Sequence, residues 1–152
     1  MKALIVCTSV SHGNTRRIAD VMGQELRARV VEPGQVDPER LSGFDLVGFG
    51  SGIYLRRFHP RLREFVRALP AGGHGRAFVF ATSGLPGVRF QPLERALTDK
   101  GFQLDGAFAC RAFDTFLPFR LVGGLNKGLP GPADLADAHA FAEGLGRRSA
   151  KA

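Results

Sequence analysis

The sequence predicts a three-layer α/β sandwich, a five-stranded parallel sheet in the order 2-1-3-4-5 with helices on both faces. Three observations lead there. Five short apolar runs alternate along the chain with segments of helical periodicity, the alternation that builds parallel sheets. The first run is continuously apolar, as expected for a strand covered on both faces. Finally, 152 residues suit one domain, residues 1–152, and a chain of about 150 residues buries about 70% of its unfolded surface without staples.

The elements follow in order. Ala3 to Thr8 is the first strand, and Asn14 to Arg27 a helix with Ile18, Val21, Met22 and Leu26 on one stripe. Arg29 to Glu32 is a short second strand, and Pro38 to Leu41 a helical turn. Asp45 to Gly50 is the third strand, followed by a helix over His59 to Leu69 that turns Leu62, Phe65, Val66 and Leu69 inward. Ala77 to Thr82, the helix Gln91 to Lys100 (Leu93 and Leu97 inward) and Gln103 to Ala112 complete the sheet. The last helix, Ala133 to Leu145, starts after Gly131-Pro132, a common way to begin one. Five strands suit the shorter of the two common open orders, in which ligands bind beyond the carboxyl ends of the first and third strands, where the winding reverses.

Those ends carry the chemistry. The first strand breaks into Ser9-Val10-Ser11-His12-Gly13-Asn14-Thr15 and then into a helix. Hydroxyls and backbone N–H groups gathered at a helix N-terminus stabilise an anion. A second reading stays open, since Ser, Thr or Asn before a helix is also ordinary capping. Arg16 and Arg17 stand unfavourably at this positive dipole end, a penalty that a bound phosphate or solvent would relieve. The loop is neither a P-loop, lacking G-x-x-x-x-G-K-[ST], nor a dinucleotide fingerprint, having one glycine. The third strand ends in Gly50-Ser51-Gly52-Ile53-Tyr54, where bare backbone admits a flat ligand and the only tyrosine can stack on it. The fourth ends in Thr82-Ser83-Gly84. Three strand ends thus converge on one crevice.

Composition narrows the classes. Lys+Arg 21 against Asp+Glu 14 gives +7 and a pI of about 10.4. Such a surface steers acidic proteins, anionic membrane or nucleic acid toward it; nothing else supports the last, because the arginines are scattered over several helices with no recognition motif. Cys7 and Cys110 are too few for a secreted disulfide framework, and they lie on strands too far apart to bridge, so a reducing cytoplasm is expected. The chain opens on a strand pattern, not a signal peptide, and no apolar run nears the ~20 residues of a membrane span. The four histidines show no metal-ligand spacing, no acidic cluster follows the first strand, and no G-x-S-x-G elbow occurs.

With these segments in hand, the chain resembles the flavodoxin family, in its short bacterial and archaeal form, over nearly its whole length. S-V-S-H-G-N-T at 9–15 is similar to the family's phosphate loop, S-x-x-x-G-N-T. G-S-G-I-Y at 50–54 with F-H-P-R-L-R-E-F at 58–65, F-V-F-A-T-S-G at 78–84, C-R-A-F-D-T at 110–115 and G-G-L-N-K-G at 123–128 extend the match. The resemblance implies noncovalent FMN and electron transfer between redox partners, with no acid–base catalytic side chain. It places the phosphate on Ser9, Val10, Ser11, His12, Gly13, Asn14 and Thr15. It places the flavin ring between Ser51, Gly52, Ile53, Tyr54 and Thr82, Ser83, Gly84.

Three departures matter. Tryptophan is absent, so the Trp/Tyr pair that encloses the ring in familiar flavodoxins is incomplete. Those proteins are strongly acidic, whereas the loop Leu85-Pro86-Gly87-Val88-Arg89 is aliphatic and basic, which implies an acidic redox partner and a less negative potential for the fully reduced flavin. The long segment Phe113–Pro132 is either an irregular cover or a docking surface for a partner, a quinone or a membrane. A similar basic, aromatic insertion in menaquinone-dependent protoporphyrinogen oxidase keeps a flavin-dependent oxidoreductase acting on a quinone or porphyrinogen as the alternative. A scaffold that has lost FMN is a third reading.

Overall fold

The computed structural model of the chain describes residues 1–10, 13–112 and 128–151. β1 (Ala3–Thr8) is buried along its entire length. It lies between β2 (Arg29–Val31) and β3 (Leu46–Tyr54), parallel to both. β5 (Arg76–Ser83) pairs parallel to β3, and β6 (Gln103–Arg111) pairs parallel to β5. The parallel path β2-β1-β3-β5-β6 is the expected order. A sixth strand, β4 (Arg57–Phe58), is a short antiparallel spur on the end of β3.

That spur corrects the expected end of the third strand. The chain does not turn at Gly50–Gly52; it stays extended to Tyr54 and folds back through Leu55 and Arg56, both at positive φ (51° and 65°). Two central residues at positive φ form the hairpin turn that matches strand twist, normally written with Asn or Gly. Here Leu-Arg occupies it, so the sequence carries no hairpin signal.

α1 (Asn14–Leu26) and α4 (Pro132–Lys151) cover one face, burying Ile18, Ala19, Met22, Leu26, Ala138, Ala142 and Leu145 against Ile5, Cys7, Phe78 and Phe80. α2 (Pro60–Ala68) and α3 (Gln91–Asp99) cover the other with Leu62, Phe65, Val66, Leu93 and Leu97 against Val6, Val47, Phe49 and Val79. Nine-residue helices such as α2 are marginal alone. Three fully or nearly fully buried side chains, each worth ~1.5–3 kcal/mol, hold it in place. α4 outruns the expected end at Leu145 because Arg148 Nη1 donates to Asp105 O on β6 (2.7 Å), securing the added turns to the sheet edge. Arg27, expected as the last residue of the helix, instead leaves it at φ 53° and turns the chain toward β2, and the anticipated turn near Pro38 is a 3-10 helix, Pro38–Gly43.

One face of β3 is a column of glycines filled from its neighbours. Gly48 pairs with Phe78 and Gly50 with Phe80 in the β3–β5 ladder, and a Cβ at either glycine would overlap the partner's ring. At the amino edge of the sheet the connections are short and tied together. Gly72 N donates to Lys100 O (2.8 Å), and Lys100 Nζ donates to the carbonyls of Arg67 (2.9 Å) and Leu69 (2.7 Å), closing the end of α2. Among the described residues no helix is long and apolar enough to cross a membrane. Cys7 and Cys110 are free thiols on strands separated by β3 and β5.

Candidate functional site

Helices in this arrangement run against the strands, so α1 and α2 aim their positive ends at the carboxyl edge of the sheet. Neither has an acidic residue in its first turn. The loop from β1 into α1 passes through Ser9, half-buried, and Val10, 42% exposed, to Gly13. Ser11 and His12 lie outside the described residues. Gly13 sits at φ 67°, where a side chain would be strained, and no side chain caps the helix from that position. Instead, Ser9 Oγ accepts from Arg16 N at 3.1 Å. Arg16 turns its guanidinium to Asp20 (2.9 Å, i,i+4), so its charge is balanced along the helix without a ligand.

Beneath this loop, Thr15 Oγ1 and Thr82 Oγ1 share a buried hydrogen bond of 2.7 Å, joining the start of α1 to the end of β5. Two of the three loops singled out in the sequence therefore touch. One proton makes that bond, and the second hydroxyl proton remains available to another acceptor. The third loop joins through the ladder, where Thr8 stands beside Ser51 and Gly52 beside Thr82.

Ser51 works within the hairpin: its buried Oγ donates to Gly52 O (2.7 Å) and accepts from His59 N (3.0 Å). Ile53 is partly buried against the α2–α3 core. The Tyr54 ring lies over Gly52, whose absent Cβ would come within 3.0 Å of Tyr54 Oη. It meets His59 edge-on, with centroids 5.4 Å apart. The room at Gly50 and Gly52 that suits a flat ligand is thus filled by Phe80 and Tyr54. Ser83 Oγ accepts from Leu85 N (3.2 Å), shaping the turn after β5, with Gly84 buried behind it. Asn14 is half-buried at the head of α1.

Several residues here escaped the sequence reading. Thr8 is fully buried, and its Oγ1 has no hydrogen-bond partner, a position that costs about 1–3 kcal/mol. The signal was its register: Leu4 and Val6 face the core at period two, so Thr8 faces it too. His59 caps α2 by accepting from Arg61 N at Nδ1 (3.0 Å), which requires that nitrogen unprotonated. Burial, followed by the Arg61 charge, holds its pKa below the usual 6.5. Leu55 (80% exposed) and Leu85 (49%) complete the rim: with Val10 and Met1 they are the large apolar side chains exposed among the described residues. Each stands three residues beyond the last ladder pair, Gly52 and Thr82.

Chemistry by thiols finds no support. Burial raises Cys7 and Cys110 each to about 12, so neither is a thiolate at neutral pH. Glu25, His139 and Glu143 gather on the surface between α1 and α4, with ligand atoms within 4.8 Å of one another, but His139 bonds Glu25 (2.9 Å) and Arg147 bonds Glu143 (2.5 Å). Most of the segment Phe113–Pro132, residues 113–127, lies outside the described residues. Pro130 is buried, and Gly131 N donates to Asp134 Oδ2 (2.9 Å) at the start of α4.

The fold and this edge define a doubly wound α/β protein with a hydroxyl-lined loop at the switch point of its sheet. Residues 5–86 match the family model described as a flavodoxin domain, and the chain belongs to that family. An uncharacterised protein of Methanocaldococcus jannaschii is 36% identical over 148 residues, covering 95% of this chain and 98% of its own. Flavodoxin 2 of Bacillus cereus superposes with a TM-score of 0.73 at 18% identity, over 97% of this chain and 99% of that one. General stress protein 14 of Treponema denticola, solved in complex with FMN, gives 0.66 at 14% identity over 95% and 99%.

Proposed function

We propose that the chain is an electron carrier that binds FMN noncovalently at the carboxyl edge of its sheet, in a reducing, cytoplasmic setting. Flavodoxin-domain membership supports the cofactor, as does the FMN complex of the Treponema relative in fold. The observation that carries the reading is the buried Thr15–Thr82 hydroxyl pair under the β1–α1 loop, whose second proton is available to an acceptor. A phosphate accepts such a donor; on the other face of β1, at the same strand end, the unpartnered Thr8 hydroxyl is unfavourable unless something else completes it.

Ser9, Val10, Ser11, His12, Gly13, Asn14 and Thr15 would hold the phosphate, with the positive end of α1 behind them. Ser51, Gly52, Ile53 and Tyr54 on one side and Thr82, Ser83 and Gly84 on the other would border the ring. The bound flavin supplies one- and two-electron chemistry. This chain's part is to bind, to exclude water from one face of the ring and to set the electrostatic surround. Leu55 and Leu85, exposed beside that mouth, favour a carrier that meets its partner across its surface.

The test is an absorption spectrum of the purified protein before and after incubation with FMN and desalting. Retained flavin absorption, with Thr15→Ala weakening retention, is the expected result. A colourless protein that takes up no FMN would overturn the reading and leave the fold intact.

A further inference from the structure

Beside the β3–β4 hairpin the mouth of this edge is rich in arginine, its carboxylates being Glu32 and Glu64, which act on His59, and Glu94 in the first turn of α3. Residues 46–93 hold seven arginines and a single carboxylate, Glu64. Arg76 is committed to Asp105 on β6 (2.6 Å), and Arg63 Nε donates to Phe58 O (3.0 Å). Arg56, Arg57, Arg61 and Arg89 are exposed.

Their placement on one surface follows from packing. Phe58 of β4 and Phe90, which precedes α3, lie with ring centroids 5.8 Å apart. That contact clips the β3–β4 hairpin, which carries Leu55 and Arg57, to the β5–α3 loop, which carries Leu85 and Arg89. Arg61 stands in the first turn of α2, at the positive end of the helix and with no acidic residue beside it in that turn. Arginines at this position work against the helix dipole. At the head of α2 that arrangement is unfavourable to folding, and it points to what approaches from outside.

We infer that this rim, Leu55 and Leu85 surrounded by Arg56, Arg57, Arg61 and Arg89, is the docking surface for an acidic protein that presents carboxylates around an apolar centre. The charge pattern steers the encounter and sets the register, and the two leucines supply area that loses water on contact. Arginine suits the task because its planar fork bonds carboxylates in pairs. The inference deepens the carrier reading and rests on it for the partner's redox role; the docking itself needs no flavin.

The experiment uses the isotope-labelled full chain and two small electron-transfer proteins as probes, an acidic ferredoxin and basic cytochrome c, each at low and high salt. Binding of the ferredoxin, with amide shifts confined to residues 54–61 and 85–90 and lost at high salt, is the expected result. Two variants of equal charge then separate the surface from net charge. Arg56→Glu with Arg57→Glu and Arg89→Glu should weaken binding by tenfold or more. Arg27→Glu with Arg29→Glu and Arg40→Glu, all exposed at the opposite edge, should change it less than threefold. Equal losses in the two variants, shifts scattered over the surface, preference for cytochrome c, or no ferredoxin binding at low salt would each overturn the inference. So would vesicles of phosphatidylserine and phosphatidylcholine, or duplex DNA, competing the ferredoxin from the same residues at lower concentration. Failure of FMN retention with the shifts intact would overturn the carrier reading and leave the docking surface.

Discussion

Replacing Gly50 by alanine tests whether its bareness serves the core or a ligand. Gly50 faces Phe80 across the β3–β5 ladder, and a Cβ there would overlap three atoms of the ring, Cε2, Cζ and Cδ2. The ring has little room to retreat: Phe80 is fully buried, and Phe78 stacks on it with centroids 6.0 Å apart. The β3 backbone is pinned between β1 and β5. An added methyl in a packed core costs ~1–3 kcal/mol, and this site belongs at the upper end of that range. Alanine recovers ~0.5–1 kcal/mol of the backbone entropy that glycine loses in a strand. The net expectation is a loss of ~2–2.5 kcal/mol, a fall of roughly 5–10 °C in Tm for a chain of this size. Phe80→Leu in the same chain should make the two changes cost less than their sum, with a coupling of about 1–2 kcal/mol. Urea unfolding followed by circular dichroism gives the stabilities, and flavin fluorescence quenching gives FMN affinity in the same variants. A Gly50→Ala protein of unchanged stability that no longer binds FMN would refute the packing argument and return Gly50 to the ligand.

Three further outcomes are expected. Thr8→Val, which keeps shape and removes the unpaired hydroxyl, should stabilise the flavin-free protein by about 1 kcal/mol and weaken FMN roughly tenfold; a loss of stability without FMN would show that Thr8 is already satisfied. For His59 the folded pKa lies below the unfolded 6.5, so its contribution to stability is full above that pH and is lost as pH falls through the folded value. The urea midpoint should therefore drop more between pH 7.5 and 5.5 in the native protein than in His59→Asn, which retains a capping oxygen; parallel drops would remove His59 as the cause. With FMN bound, the arginine-rich surround should make the potential of the fully reduced flavin less negative than in acidic flavodoxins, and a spectroelectrochemical titration placing it at or below theirs would refute this.

How much could be read in advance depended on which force set each feature. Apolar runs such as Leu4–Cys7 and Phe78–Ala81 announce buried strands, and stripes such as Leu62, Phe65, Val66 announce helices, because burial dominates both. The order of the sheet followed from their number and alternation. The β3–β4 hairpin was hidden, because Leu55 and Arg56 adopt positive φ through the pairing of Ile53 with Phe58 and Tyr54 with Arg57, not through their own preference. At the site, hydroxyls at three strand ends were visible. What each bonds was not, since the Ser51 link to His59 N and the Thr15–Thr82 link join residues 8 and 67 positions apart. The last turns of α4 rest on Arg148 reaching a β6 carbonyl 43 positions away, equally beyond local pattern.

The tied amino edge has a practical consequence. Gly72, Lys100 and the end of α2 form one hydrogen-bonded platform, facing away from every loop that carries the site. A single cysteine introduced at exposed Arg29 or Arg40 would anchor the molecule to an electrode in one orientation, with its redox-bearing mouth turned toward the solution. Attached through the opposite edge, the same monolayer would be electrically closer to the metal and closed to a protein partner. On the proposed reading, the fold separates wiring from recognition by the height of its sheet.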